Sequence, residues 1–370
     1  MKRMLILEPY YGGSHRLFLQ GLQKAVPADY TLLTLPARKW KMRMQLSAIW
    51  FVDQIQLLPE GDRLFDTVLC STFVDVAVLR SLLTSVSGWN HKALISTYFH
   101  ENQFAYPVQQ TDISMRQFTS INFTTALASD RCAFNSAYNM ETFLRAVRIS
   151  LKRATDMNLD RCVEEIRKKS IVLYPGMDYS FIDLIENKED DGGAPVIVWN
   201  HRWEHDKGPE EFFEALYLLQ KKEVLFRLVV LGESFANSPE CFAKAQKQLT
   251  SETIHFGYAE SREQYAALLH RGDCLVSTAR HEFFGIAVLE GIRAGCYPLL
   301  PEDLSYPELY DGKFLYAPGK LAQHLEKFLL NPVRLSSDEA QGLTEAFSWD
   351  KCKKNYKKWL FANSDKLKKR

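Results

Sequence analysis

The feature that most constrains this chain is an alternation of short apolar runs with segments of helical periodicity, which starts at the N-terminus and restarts past the midpoint. Such alternation marks α/β units with parallel strands. In the first half the strand candidates are Arg3 to Leu7, Tyr30 to Leu35, Thr67 to Cys70, Lys92 to Tyr98, Asp130 to Ala133 and Ser170 to Tyr174. The second series runs from strand Val196 to Asn200 through helices Pro209 to Lys221, Pro239 to Leu249, Arg262 to His270 and Ile286 to Ala294. Strands Phe226 to Leu231, Ile254 to Phe256, Cys274 to Ser277 and Tyr297 to Leu300 separate those helices.

Between the series lies ENKEDDGGAP, residues 186–195, polar and acidic with Gly and Pro, the composition of an exposed connector. The reading is therefore an α/β protein with domains at 1–185 and 196–345, followed by a Lys-rich amphipathic helix over 346–370. A return of that helix to the first domain is one option, which its Trp349, Tyr356, Trp359 and Phe361 would serve.

Composition narrows the function classes. A hydrophobic fraction of 46% excludes disordered and collagen-like chains, and 46 Lys+Arg against 45 Asp+Glu excludes a uniformly basic nucleic-acid binder. Seven cysteines, odd in number and never spaced C-x-x-C, suggest neither a disulfide framework nor a zinc site. Met4 to Leu7 is too short for the core of a signal peptide, and no apolar run is long enough to span a bilayer. The expectation is a cytoplasmic protein with no stable membrane association.

Open α/β sheets bind ligands beyond the carboxyl ends of their strands, so four strand ends are candidate sites. The first is Glu8-Pro-Tyr-Tyr-Gly12-Gly13-Ser14-His15, where Ser14 reads as an N-cap and the glycines let backbone amides approach an anion. A capped tight turn explains it equally well. The second, His100-Glu101-Asn102-Gln103, gathers groups able to bind sugar hydroxyls or transfer a proton.

The third, Asn200 to Pro209, sets Arg202 and Lys207 around a helix start, where both would reach a diphosphate; alone, it also fits a solvated charged loop. The fourth, Ala279 to Gly295, places Glu282 before a helix, Gly285 at its start and Glu290 about one turn inside, among Ile, Ala, Val and Leu. A carboxylate in such surroundings requires something to satisfy it, and ribose hydroxyls would do so.

Glu282-x7-Glu290 behind a loop with Arg202 and Lys207-Gly208 resembles the retaining family-4 glycosyltransferases of the GT-B fold, over roughly residues 195–310. The segments LEPYYGGSH, LPARKWKMRM, CSTFVDVA, YFHENQFAYP, FNSAYN and LYPGMD are similar to the tRNA-queuosine mannosyltransferases and extend the likeness over nearly the whole chain. That resemblance implies two Rossmann-like domains facing across a cleft, the first on the acceptor side and the second binding the donor. The implied reaction moves mannose from GDP-mannose, with retention, to a cyclopentene hydroxyl of queuosine in the anticodon of a tRNA, tRNA-Asp being the expected species.

Carried onto this sequence, Arg202 and Lys207 would neutralise the departing diphosphate and Glu290 would hold the ribose. Glu282, with the amides near Phe284, Gly285 and Ile286, would hold the sugar; Gly12, Gly13 and His15 would add donor contacts; and His100 would lie beside the reacting centre. No metal or permanently bound cofactor is expected. Positive charge on the leaving group, rather than a protein nucleophile, suits such a transition state.

An RNA acceptor demands local positive charge with aromatic groups. Arg38, Lys39, Trp40, Lys41 and Arg43 supply both and are the preferred RNA contact. Arg145, Arg148, Lys152 and Arg153 form a second basic cluster, while the C-terminal lysines read as a solvated helix face. Two other functions stay open at this level: a family-4 enzyme with a lipid or saccharide acceptor, and a non-catalytic nucleotide-sugar or RNA-binding protein. No motif specifies the donor, and GDP-mannose follows only from the resemblance.

Overall fold

The computed structural model describes residues 1–106, 115–153, 155–185, 192–235 and 237–362. The chain forms two compact units, one of Met1–Met177 with Trp349–Arg370 and the other of Asp178–Ser348. Asp178 to Ile185 thus belongs with the second unit, so the change of unit precedes the acidic stretch; residues 186–191 of that stretch lie outside the described residues.

The first unit holds strands β1 (Arg3–Tyr11), β2 (Asp29–Pro36), β3 (Thr67–Ser71), β4 (Leu94–Phe99), β5 (Arg131–Phe134) and β6 (Ser170–Val172). They form one parallel sheet in the order β2-β1-β3-β4-β5-β6. The reason β1 reads as a solid apolar run is visible in its neighbours. Leu5 and Leu7 face one cluster with Ala48, Phe51 and Leu79, while Met4 and Ile6 face another with Phe18, Leu22, Tyr356 and Trp359. Both faces of the sheet are covered, so no polar alternation survives.

Part of that second cover is the C-terminal helix, Trp349–Phe361. Trp349, Cys352, Tyr356, Trp359 and Leu360 are buried, and Lys351, Lys353, Lys354, Lys357 and Lys358 are exposed. Polar bonds fix its register: the Tyr356 hydroxyl donates to the Tyr174 carbonyl at 3.0 Å, and buried Arg131 donates to the carbonyls of Trp359 and Ala362 at the helix end. Cationic groups are favourable at that end of a helix dipole. Lys366, Lys368, Lys369 and Arg370 lie outside the described residues.

The second unit holds β7 (Val196–Asn200), β8 (Arg227–Leu231), β9 (Thr253–Gly257), β10 (Cys274–Val276), β11 (Tyr297–Pro301) and β12 (Leu315–Tyr316). Its parallel sheet runs β12-β11-β10-β7-β8-β9. Ile197, Trp199, Leu228, Val230 and Val276 bury one face under the helices Pro209–Lys221 and Leu321–Leu330. Arg293 fastens both ends of this unit, bonding Asp183 at 2.6 and 2.8 Å and the Thr344 hydroxyl at 3.2 Å. No helix among the described residues is long and apolar enough to cross a membrane.

In each sheet the strand order reverses once. The first reverses between β1 and β3, the second between β7 and β10. Ligands bind open α/β sheets beyond the strand ends at such points.

Trp349 leaves no space for a side chain at Gly176, where an added Cβ would stand 2.2 Å from the indole. Gly176→Ala should therefore lower stability by roughly 1–3 kcal/mol, seen as an earlier denaturant midpoint with an unchanged m-value.

Candidate active site

At the reversal point of the second sheet, the loops leaving β7 and β10 are stitched together. The Thr278 hydroxyl donates to the Lys207 carbonyl at 2.9 Å, and the amides of Arg280 and His281 donate to the Asp206 carbonyl at 2.8 and 3.2 Å. The approach is close at Gly208, whose φ is +60°: a Cβ there would stand 2.2 Å from the Thr278 carbonyl oxygen. Any other residue would push the loops apart.

Lys207, 8% exposed, is the electrostatic centre of this contact. Its ammonium donates to the His281 carbonyl at 2.8 Å and to Glu282 Oε2 at 3.3 Å, with Asp206 at 3.4 Å. Glu282 Oε1 accepts from the amides of Phe283 and Phe284 at 3.0 and 3.2 Å. Burial alone would raise the Glu282 pKa; the Lys207 charge and the Phe284 amide overcome it and hold it at about 2. Burial also works against the Lys207 ammonium, but Glu282 and Asp206 reverse that and raise its pKa. His201 and His281 are pushed down to about 4, by burial first and Lys207 second. Near neutral pH the site pairs the fixed Lys207 cation with the Glu282 carboxylate, beside two neutral imidazoles.

Glu290 lies in the helix Ile286–Arg293 and is half-buried. The Tyr265 hydroxyl donates to its Oε2 at 2.7 Å, which answers what satisfies this carboxylate in an apolar helix. Burial still dominates and raises its pKa to about 7. Arg202 is exposed and pairs with Glu204 at 2.9 Å.

Two of the expected donor contacts change character. The Phe284 amide is taken by Glu282, and its ring is buried against Phe347, which leaves the amides of Gly285, Ile286 and Ala287 without an acceptor among the described residues. Glu282 itself is held at both oxygens, which fixes its orientation.

In the first unit, the ends of β1, β3 and β4 bring together residues far apart in sequence. Glu8 Oε1 accepts from the Tyr10 amide at 2.8 Å and the Ser71 hydroxyl at 3.1 Å, while Oε2 meets His15 Nδ1 at 3.0 Å. The rings of His15 and His100 lie against each other, tilted by 31°, with centroids 4.1 Å apart. Burial opposes charge on His15, yet Glu8 raises its pKa; burial and the charge on His15 leave His100 neutral. Glu8, His15 and His100 each bring one ligand atom within 4.8 Å of the others. The Glu8–His15 hydrogen bond already satisfies two of the three, and ion pairing accounts for the group.

Ser14 is not the cap of the first helix. That helix is Gly13–Ala25 with Gly12 at the N-cap and no side-chain bond there, so it begins ahead of Ser14, directly after the Gly12 cap that follows the strand. A Cβ on Gly12 would stand 2.5 Å from that of Ala37. His15 sits one turn in, facing the sheet.

The basic segment divides. Arg38, Lys39 and Lys41 are exposed and Arg43 is half-buried at the start of the helix Trp40–Leu57. Trp40 is half-buried, its ring 5.0 Å from that of Phe118 and 6.3 Å from that of Phe73, with the Lys41 ammonium 5.8 Å from its centroid. In the second basic cluster Arg148 pairs with Glu164 at 2.8 Å. The neutralising acid comes from a neighbouring helix, which local sequence does not reveal.

Sequence reasoning quoted Glu8 in the first motif without giving it a role, and it missed Ser71 and Tyr265. The usable signal was position: Glu8 ends an apolar strand next to the Gly-Gly turn. Tyr265 lies within an ordinary amphipathic helix and carries no such signal.

Residues 3–177 match the family model for the N-terminal domain of tRNA-queuosine alpha-mannosyltransferase, and residues 181–343 match glycosyl transferases group 1. Among solved structures, the chain superposes on sucrose-phosphate synthase from Thermosynechococcus elongatus with a TM-score of 0.72, 12% identity and coverage of 96% of this chain and 97% of that one. Anabaena HepE in complex with UDP gives a TM-score of 0.69 at 12% identity, covering 96% and 98%. The chain is a glycosyltransferase of the GT-B fold. It is 35% identical to the tRNA-queuosine alpha-mannosyltransferase of Drosophila melanogaster across 94% of this chain and 92% of that protein, and it belongs to that family. A shorter likeness, 29% identity over 29% of this chain and 28% of the relative, is to the GDP-mannose:cellobiosyl-diphosphopolyprenol alpha-mannosyltransferase of Xanthomonas oryzae pv. oryzae (strain PXO99A).

Two tests follow from the charges. Lys207→Met should cost about 3 kcal/mol by stranding Glu282, and adding Glu282→Gln should restore most of it, measured as a double-mutant cycle in urea. The folded pKa of Glu290, about 7, lies above its ordinary 4.5, so this group contributes stability that is full below about 4.5 and lost as pH rises through 7. Glu290→Gln should accordingly raise Tm above pH 7, with the gain shrinking as pH falls toward 4.5.

Proposed function

We propose that this enzyme transfers mannose from GDP-mannose to a cyclopentene hydroxyl of queuosine in a tRNA anticodon, with tRNA-Asp as the substrate species. What carries the reading is likeness over almost the entire chain to a tRNA-queuosine alpha-mannosyltransferase, joined to a second unit whose polar groups suit a nucleotide sugar. GDP as the base is supported by the shorter likeness to a GDP-mannose-using enzyme.

In this reading the diphosphate meets the open amides of Gly285 and Ile286, where the helix dipole favours an anion. Exposed Arg202 swings to it, and Lys207 acts as a fixed positive charge behind the loop. Glu290 takes the ribose hydroxyls, and Glu282, held at about pKa 2 and oriented by two amides, accepts from hydroxyls of the sugar. The bond from the anomeric carbon to the phosphate oxygen breaks, and the electron pair leaves with GDP. The acceptor oxygen bonds to the anomeric carbon on the same face, and its proton passes to the departing phosphate. In the first unit, burial and then the charge on His15 keep His100 neutral, so its imidazole is able to accept a hydrogen bond. No step calls for a metal or a bound cofactor.

For the RNA, Arg38, Lys39, Lys41 and Arg43 supply phosphate contacts from the start of their helix.

Incubation with GDP-mannose and queuosine-containing tRNA, followed by nucleoside mass spectrometry, should show a hexose added to queuosine. Transfer to lipid with none to tRNA would overturn the reading. Glu282→Ala should reduce transfer at least 100-fold with tRNA binding intact. Arg38→Ala with Lys41→Ala should weaken tRNA binding, flatten its dependence on log salt by roughly one to two, and leave donor KM unchanged.

A further inference from the structure

We propose that Tyr265 and Asn200 are positioning residues for Glu290: together they pin one carboxylate oxygen and leave the other to receive the paired hydroxyls of a nucleotide ribose. The inference rests on the assignment of the second unit as the nucleotide-sugar site and adds the residues that select a ribonucleotide.

Three elements converge. Asn200 ends β7, Tyr265 comes from the helix Arg262–His270, and Glu290 from the helix Ile286–Arg293. The Asn200 side-chain amide donates to the Tyr265 hydroxyl oxygen at 3.0 Å and to the Ala287 carbonyl at 2.8 Å. With its oxygen accepting from Asn200, the phenol directs its single proton to Glu290 Oε2 at 2.7 Å. The carboxylate is thereby locked to the first turn of its own helix, where the diphosphate is read. Oε1 has no protein donor among the described residues. Asn200 is 6% exposed, and its buried Oδ1 likewise finds no partner, so this corner holds two acceptors waiting for donors. A ribose diol provides two O–H donors.

The support is itself braced. Tyr265 stacks on Phe181 with centroids 6.4 Å apart, and the Arg262 guanidinium lies 4.1 Å over the other ring. The groups acting on Glu290 are the Tyr265 hydroxyl and the Arg262 charge from one helix, with Asn200 from the sheet acting through Tyr265. Both Tyr265 and Arg262 favour its ionised form, against burial. Removing the phenol hydroxyl moves the balance toward the protonated acid, which is a poorer acceptor for the diol.

The experiment compares wild type and Tyr265→Phe with GDP-mannose and 2′-deoxy-GDP-mannose, tRNA saturating, from pH 5.5 to 8.5. Tyr265→Phe should raise the KM for GDP-mannose about 10-fold with kcat within twofold. Preference for the ribose form over the deoxy form should shrink several-fold, and the acidic limb of kcat/KM for the donor should move to higher pH. Equal losses for both donors, or an unmoved acidic limb, would overturn the proposal and reduce Tyr265 to packing. Calorimetry of GDP and 2′-deoxy-GDP binding gives the same comparison without turnover, and Asn200→Ala, which leaves the phenol in place but unoriented, should show an intermediate loss of discrimination. If wild type binds neither GDP nor a GDP sugar, the donor assignment fails; the same ribose and deoxyribose comparison with the nucleotide that does bind then decides this proposal separately.

Discussion

The second unit is organised around the ion pair between Lys207 and Glu282, because it is the contact that joins the loop after β7 to the loop after β10. A buried ammonium is tolerated only when acceptors surround it. Lys207 has the His281 carbonyl, Glu282 and Asp206, and the same loops are bonded by backbone at Asp206 and by Thr278. From this follow the orientation of Glu282, the neutrality of His201 and His281, and the open amides that begin the helix Ile286–Arg293. The site is rigid where the charge must be fixed, and Arg202 is exposed where a group must move to meet a ligand.

The first unit shows the same economy with different chemistry. Its point of strand reversal carries a carboxylate, Glu8, whose two oxygens are used by an amide, a hydroxyl and an imidazole. The partner imidazole lies against His100, and its charge adds to burial in keeping His100 neutral. Two sheets of similar topology thus place ionisable groups at equivalent positions, one with a lysine cation and one with a histidine pair.

The strands were legible because parallel sheets covered on both faces produce uninterrupted apolar runs; β7 and the helices Pro209–Lys221 and Arg262–His270 match their expected bounds. Strand ends were less legible. β1 runs on to Tyr11 through Pro9 and two tyrosines, and the next helix begins at Gly13, ahead of the expected cap at Ser14. Glu282 and Glu290 stood out since acids beside apolar helix residues need an explanation. Tyr265, which supplies that explanation for Glu290, is 25 residues away and did not.

The sequence by itself determined the class of fold, the two α/β halves and the principal polar residues of the second, because hydrophobic periodicity and isolated charges are local properties. Only the tertiary structure decided what those charges are worth. Trp40 acquired ring partners in Phe118 and Phe73, Arg148 acquired Glu164, and the lysine-bearing C-terminal helix became part of the cover of the first sheet. Each depends on a partner distant in sequence, and burial, pairing and pKa are properties of the partners assembled by the fold.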